Sequence, residues 1–325
     1  MTLAKAKQRA VKLIHEAEHI LVSGHRRPDA DALGSALGFA AIVRAMGKKA
    51  TVWVPEELAP NLRFIPGDIV RQLPADARFD STWIMDTASE KILPKGLPDE
   101  SVRGPLVIID HHAAHDDAGD LIVRDVHACA TAEVVMDLAS MLEMRPVPRE
   151  AASPLYAAIV ADTGGFRYPA TTAHALRLGA ELLDAGADPW ETAYELFEGW
   201  RPERLKLLGS ILDEMELDCD GRLAVLRVTR SMLAEHEATD DMVEGMVNYG
   251  RMLRGVEVSL LLWEVPTEDG AIETKVSMRS NGGADVSKVA LALGGGGHRA
   301  AAGAQLDASL GEVEAQAREH IRELL

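Results

Sequence analysis

Short, continuous apolar runs alternate with longer stretches of helical periodicity along the N-terminal half of the chain. ILVSG (20–24) leads into ALGSALGFAAIVRAMG (32–47), and ATVWV (50–54), TWIMD (82–86) and PLVIID (105–110) follow. Runs this short are better strands than helices, and without polar alternation they read as strands covered on both faces. Strands separated by helical segments predict βαβ units, hence an α/β domain with a mostly parallel sheet and helices on both faces. The Ala- and Leu-rich segments TAEVVMDLASML (131–142), SPLYAAIVAD (153–162) and HALRLGAELLDAG (174–186) add further helices.

The pattern then changes twice. Residues 188–215 are helical and strongly charged, with Pro189 and Pro202 where helices begin, which suits a helical linker. Beyond it, MELDCDGRLAVLRV (215–228) reads as two strands around an Asp-Gly turn, and VEVSLLLWEV (256–265) and ETKVSMRS (273–280) as further strands. The expected organisation is a first domain over 1–187, the linker over 188–215, and a smaller mixed α/β domain over 216–325.

A chain of 325 residues that is 47% hydrophobic can bury two ordinary cores. No apolar run reaches the roughly 18–20 residues that span a bilayer, and the amphipathic N-terminus lacks a signal-peptide core, so the expectation is a cytoplasmic protein without a membrane partner. The two cysteines, Cys129 and Cys219, are far apart and lack metal or redox spacing, which excludes a disulfide framework and a zinc finger. A formal charge of -17 argues against long duplex DNA, whose binding needs a field of Lys and Arg. Short phosphorylated molecules held by a few local donors remain compatible.

Acids and histidines recur where the apolar runs stop. His25 follows the first run, and the loop after it carries Asp29 and Asp31 behind Pro28. Two apart in extended backbone, both carboxylates can point the same way; the competing role for Asp31 is a helix N-cap. Asp86 ends the WIMD run, and Asp110, His111 and His112 end LVIID. Asp162 follows the apolar AAIVA and precedes Thr163, Gly164 and Gly165. A carboxylate there is costly to bury without a cation or hydrogen bonds, although, taken alone, the segment is better read as a solvated acid at a glycine C-cap. Open parallel sheets gather ligands outside the carboxyl ends of their strands, so these groups are expected to converge. Carboxylates suit hard divalent cations, and imidazole shifts the preference from Mg²⁺ toward Mn²⁺. Near the C-terminus, LGGGGHRAAAG (293–303) offers backbone N–H groups of Gly295, Gly296 and Gly297, with His298 and Arg299 next and Arg279 and Ser280 in SMRS close by in sequence. That set suits a terminal phosphate; a flexible loop is the alternative.

In order and local context, His25-x-x-x-Asp29-x-Asp31, Asp86, Asp110-His111-His112 and Asp162 resemble the signature of the DHH phosphoesterase superfamily. SMRS followed by ADVSKVALALGGGGHRAAAG resembles its DHHA1 substrate-binding domain. PDADALGSALG, DTGGFRYPATT and GGGGHRAAAG are most similar to the bacterial branch of oligoribonucleases that also act on 3′-phosphoadenosine-5′-phosphate (PAP). The resemblance implies two divalent cations, Mn²⁺ favoured and Mg²⁺ the alternative. His25, Asp29 and Asp86 would hold one; Asp31, Asp86, His111 and Asp162 the other. Asp86 would bridge, Asp110 would orient a histidine, and His112 would stand beside the substrate phosphate, so that His112, Asp110 and Asp86 are the catalytic set. Arg279, Ser280, Gly295, Gly296, Gly297, His298 and Arg299 would bind substrate. Gly165 stands where many relatives carry Ser. The implied substrates are short RNA or dinucleotides and PAP-like nucleotides. The competing readings are a linear or cyclic dinucleotide phosphodiesterase, a pyrophosphatase, a long-strand exonuclease and a non-catalytic nucleotide-binding module. Relatives of this kind are often homodimers, but no interface pattern in the sequence decides the oligomeric state.

Overall fold

The computed structural model places a strand at each apolar run. It describes every residue from Met1 to Leu325 except 114, 115, 117, 268, 269 and 282, together with the side chain of His298. The chain divides into two units, Met1–Gly199 and Trp200–Leu325.

In the first unit the order is α1 (Leu3–Glu16), β1 (His19–Gly24), α2 (Ala30–Ala45), β2 (Lys49–Trp53), β3 (Ile69–Val70), β4 (Ser81–Met85), α3 (Glu100–Arg103), β5 (Leu106–Asp110) and β6 (Leu121–Arg124). Four helices follow: α4 (Thr131–Met141), α5 (Arg149–Asp162), α6 (Ala173–Asp184) and α7 (Pro189–Phe197). The six strands pair in parallel in the order β3-β2-β1-β4-β5-β6. The order reverses between β1 and β4, the position where open α/β sheets bind ligands. Registers Gly24↔Met85 and Met85↔Ile109 end β1, β4 and β5 at one level. His25, Asp86 and Asp110 therefore leave three neighbouring strands side by side.

The alternation along these strands holds them in place. Ile20, Val22, Trp83, Met85, Val107 and Ile109 join the helices in the main core, while Leu21, Ile84, Leu106 and Ile108 face the opposite side with the loop residues Leu73, Ala77, Leu93 and Leu97. At roughly 1.5–3 kcal/mol for each fully buried side chain, this burial outweighs the cost of holding carboxylates at the strand ends. Helix α2 is buried from Ala30 to Val43, between sheet and α5. Gly34 and Gly38 permit that approach: a Cβ at Gly34 would lie 2.3 Å from the Pro154 carbonyl oxygen, and one at Gly38 2.4 Å from Leu155 Cγ.

The second unit contains α8 (Pro202–Asp213), β7 (Glu216–Asp218), β8 (Leu223–Val228), α9 (Arg230–Glu235), α10 (Val247–Arg251), β9 (Val258–Pro266), β10 (Ile272–Ser280), α11 (Val286–Ala292), β11 (Gly296–His298), β12 (Ala301–Leu306) and α12 (Leu310–Leu324). Its sheet runs β11-β12-β10-β9-β8-β7 and is mixed, with β8 and β9 parallel. The segment 188–215 is shared between the units. Asp188 caps α7 with Pro189 at its first turn, and Leu196 and Phe197 pack on the first core. Leu207, Leu208 and Ile211 of α8 pack beside β8. Among the described residues no helix is long and apolar enough to cross a membrane.

Candidate metal centre

Each acid or histidine of the cluster is delivered by the end of an element. Asp86 follows β4 directly and adopts φ +59, a left-handed conformation that short polar residues tolerate best; its N–H donates to the Ile109 carbonyl at 2.8 Å. Asp29 is the N-cap of α2, accepting from the Ala32 N–H at 3.0 Å. The cap is thus Asp29, and Asp31 lies in the first turn of the helix with no solvent exposure. Three donors offset that burial: Ser35 Oγ at 2.9 Å, and the Thr131 and Ala132 N–H groups at 2.6 and 3.2 Å. The last two are first-turn amides of α4, which have no partner inside their own helix. Asp162 closes α5, with Thr163 as C-cap and Gly164 and Gly165 at φ +58 and +69 turning the chain away. The glycine cap and a carboxylate directed into the cluster therefore coexist.

Two ligand sets share one carboxylate. His25 Nε2 lies 3.9 Å from Asp29 Oδ1 and 3.7 Å from Asp86 Oδ2. His111 Nε2 lies 3.1 Å from Asp162 Oδ2, 3.6 Å from Asp86 Oδ1 and 3.9 Å from Asp31 Oδ2. Among the described residues the ligand atoms fall within 4.8 Å of one another in His25–Asp29–Asp86, in Asp31–His111–Asp162 and in Asp86–His111–His112, so the last group joins Asp86 to the His111 set. Both imidazoles are oriented for ligation. His25 Nδ1 donates to the Arg26 carbonyl at 3.0 Å and His111 Nδ1 to the Ala128 carbonyl at 3.2 Å. A carbonyl only accepts, so Nδ1 carries a proton in each ring and Nε2 is the nitrogen turned toward the acids, able to ligate once any proton on it is displaced.

His112 points differently, as adjacent residues must. Its Nδ1 donates to Asp110 Oδ1 at 2.7 Å and stands 3.4 Å from Asp86 Oδ1. Asp110, with no solvent exposure, fixes that ring.

Crowding of negative charge marks this cluster chemically. Burial, followed by the field of Asp86, pushes Asp31 up to about 7. Burial and then Asp29 push Asp86 up to about 7, and burial and then Asp31 do the same for Asp162. Burial opposes charge on His111, but the Asp162 hydrogen bond and the surrounding carboxylates prevail and raise it to about 10. Carboxyls pushed this far toward neutrality are compensated only in part by the His111 cation among them. Divalent cations among mixed carboxylate and imidazole donors supply the remaining positive charge, so the residues present fit a metal.

In the second unit the substrate-binding candidates separate. Arg279, Gly296 and Gly297 line a pocket of about 610 Å³ with Lys275, Ser277 and Trp263. Lys275, Ser277 and Arg279 share one face of β10, and Lys275 Nζ lies 4.7 Å from the Trp263 ring centre. Ser280 is buried on the opposite face. Gly295 packs against β12, where a Cβ would meet the Gly303 carbonyl oxygen at 2.1 Å, and its N–H donates to the Ala290 carbonyl at the end of α11. Gly296, Gly297 and His298 form β11. Two of the four glycines are therefore strand residues paired with β12 rather than members of an open loop. The His298 side chain lies outside the described residues. Arg299 is exposed and bonds the Gly283 carbonyl. Sequence reasoning missed Lys275, Ser277 and Trp263, although the alternation of ETKVSMRS places the first two beside Arg279. It also missed Ser35, which helical i, i+4 spacing puts on the face of Asp31, and Thr131, for which no local signal exists.

Comparison with known proteins gives the same division. Residues 19–159 match the model of the DHH family, N-terminal domain, and residues 220–325 that of the DHHA1 domain. The bifunctional oligoribonuclease and PAP phosphatase NrnA of Thermus thermophilus is 36% identical over 88% of this chain and 84% of its own length. The cyclic-di-AMP phosphodiesterase GdpP of Geobacillus thermodenitrificans is 26% identical over 96% of this chain, which spans 48% of that protein. A crystal structure of an exopolyphosphatase-related protein from Bacteroides fragilis superposes with TM-score 0.87 at 24% identity, covering 99% of this chain and 98% of the other, a likeness of fold.

Proposed function

The chain belongs to the DHH family, and on that premise we propose that it is a two-metal phosphoesterase. Its substrates in this reading are RNA fragments of roughly two to five nucleotides, cut to 5′-mononucleotides by metal-assisted hydrolysis, with conversion of PAP to AMP and phosphate as a second activity. The observation that carries it is the shared carboxylate: Asp86 presents Oδ2 to His25 and Oδ1 to His111, so two ligand sets meet at one residue. Mn²⁺ is favoured over Mg²⁺ because each set includes imidazole.

When bound, paired divalent cations supply an acidified water and neutralise charge on the phosphoryl oxygens. The protein's own part is positional. Asp31, Asp86 and Asp162 are held by α2, β4 and α5 before any ligand arrives, so no reorganisation is needed at the moment of reaction. His112, fixed by Asp110, has its proton on Nδ1 and leaves Nε2 for the substrate phosphate or leaving oxygen. The Lys275, Ser277 and Arg279 face of β10 is suited to a phosphate of the substrate, with Trp263 beside it for an aromatic base. The reading places the enzyme and its substrates in the cytoplasm.

The naming of the Thermus thermophilus relative favours short RNA and PAP, and that of the Geobacillus thermodenitrificans relative keeps dinucleotide phosphodiester hydrolysis as the second reading. Products followed over time from 5′-labelled RNAs of graded length, beside PAP and a cyclic dinucleotide, with Mn²⁺ and with chelator, separate them. Rapid loss of dinucleotides and slow loss of decamers supports the first. Equal rates at all lengths overturn it, and preference for the cyclic dinucleotide selects the second.

A further inference from the structure

Thr131 opens α4 yet caps nothing. The N-cap is Ala130, and the Thr131 hydroxyl, one residue later and fully buried, donates instead to Asp86 Oδ1 at 3.0 Å. With Asp86 ionised, as a metal ligand must be, its carboxylate only accepts and the Thr131 hydroxyl is the donor. The N–H of the same residue donates to Asp31 Oδ2 at 2.6 Å. One residue thus binds two carboxylates delivered by different elements, and each contact falls on the oxygen that faces His111. The other oxygen of Asp86, which faces His25, takes no bond from Thr131.

That asymmetry distinguishes Thr131 from a buried hydroxyl that merely satisfies itself. Among the described residues, the buried hydroxyls of Thr163 and Ser259 bond backbone carbonyls, whereas Ser35 and Thr131 bond carboxylates of the cluster; Ser35 serves Asp31 from within the same helix, and Thr131 reaches Asp86 from another element. Thr131 bonds a carboxylate of the metal centre. Resting on the two-cation reading above, we infer that Thr131 is a positioning residue for one ion of the pair. It fixes Asp86 Oδ1 and Asp31 Oδ2 toward the His111–Asp162 set and leaves the His25–Asp29 set untouched.

The test is a calorimetric titration of the full chain with Mn²⁺, comparing wild type, Thr131→Val, which keeps the shape and loses the donor, and Thr131→Ser, which keeps the donor. Asp29→Ala, lacking a ligand of the other set, identifies which binding phase belongs to which set. Partners that orient metal ligands are worth about 10- to 100-fold in affinity. The expected result is a loss of that size in the phase that survives in Asp29→Ala, a change of less than about twofold in the other phase, and near wild-type behaviour for Thr131→Ser. Turnover of a labelled dinucleotide by Thr131→Val should then recover at raised Mn²⁺. If Thr131→Val does not fold, Thr131→Ala against Thr131→Ser gives the same contrast. Wild-type affinities in both phases of the donor-less variant, or equal weakening of both, overturn the assignment of Thr131. A wild-type protein that binds fewer than two ions overturns the two-cation reading itself, a result visible before any variant is made.

Discussion

Replacing Asp86 by Asn keeps the shape of the side chain and the oxygen that accepts from Thr131, but removes one carboxylate from a buried group of three. Without metal this should stabilise the protein while abolishing its activity. The folded-state value of Asp86, about 7 against an ordinary 3.8, lies above the unfolded one. The cost is therefore absent below pH 4, grows as pH rises, and is complete above about 7. A rise of that size sets a ceiling of roughly 4 kcal/mol. Asp29 and Asp162 share the repulsion, and half the ceiling is a fair expectation for one substitution. For a unit of this size about 1 kcal/mol moves Tm by roughly 2–4 °C. In chelator at pH 8, Asp86→Asn should melt about 4–8 °C above wild type, and near pH 4 the two should coincide. Adding Mn²⁺ should raise the wild-type Tm well beyond that of the variant, reversing the order. Calorimetric scans in chelator and in Mn²⁺ at both pH values measure this. A variant less stable than wild type in chelator at pH 8, or one that gains as much from Mn²⁺, would refute the reasoning.

His111, raised to about 10, contributes stability that is full below pH 6.5 and lost as pH rises through its folded value. Metal must displace that proton, so Mn²⁺ binding at pH 8 should release protons and give a calorimetric enthalpy that changes with the ionisation enthalpy of the buffer; a buffer-independent enthalpy contradicts it. His112→Ala should leave Mn²⁺ stoichiometry intact and lower kcat on a labelled dinucleotide by about 10²- to 10⁴-fold, whereas loss of an ion would place His112 among the ligands. Gly34→Ala forces a Cβ to 2.3 Å from the Pro154 carbonyl oxygen and should cost about 1–3 kcal/mol by urea denaturation while weakening Mn²⁺ binding. Gly209→Ala, which has nothing within 4 Å of its Cβ, serves as the control and should be neutral or stabilising.

The parallel core was legible because ILVSG, TWIMD and LVIID are buried on both faces and therefore apolar without interruption. Their ends carried the ligands, so strand prediction and site prediction were one inference. Strand β6, LIVR, escaped because two of its four residues are only partly buried, and the two-residue β3 is too short to leave a pattern. The glycine run was misleading in a physical sense: chain flexibility and close strand approach both select glycine, and only the position of Gly303 and Ala302 shows that β11 lies against β12. Thr131 was invisible because its partners, Asp31 and Asp86, are distant in sequence and meet it through the packing of α2, α4 and β4. Asp29 and Asp31 show the intermediate case. Either could cap a helix by composition, and the register of α2 decides that Asp29 does so while Asp31 turns inward.

The most direct test of the shared carboxylate is anomalous diffraction at the manganese edge from crystals grown with Mn²⁺. Two peaks should appear, one among His25, Asp29 and Asp86 and one among Asp31, Asp86, His111 and Asp162, both within ligation distance of Asp86. A single peak remote from Asp86, or manganese bound only outside these six side chains, would contradict the account.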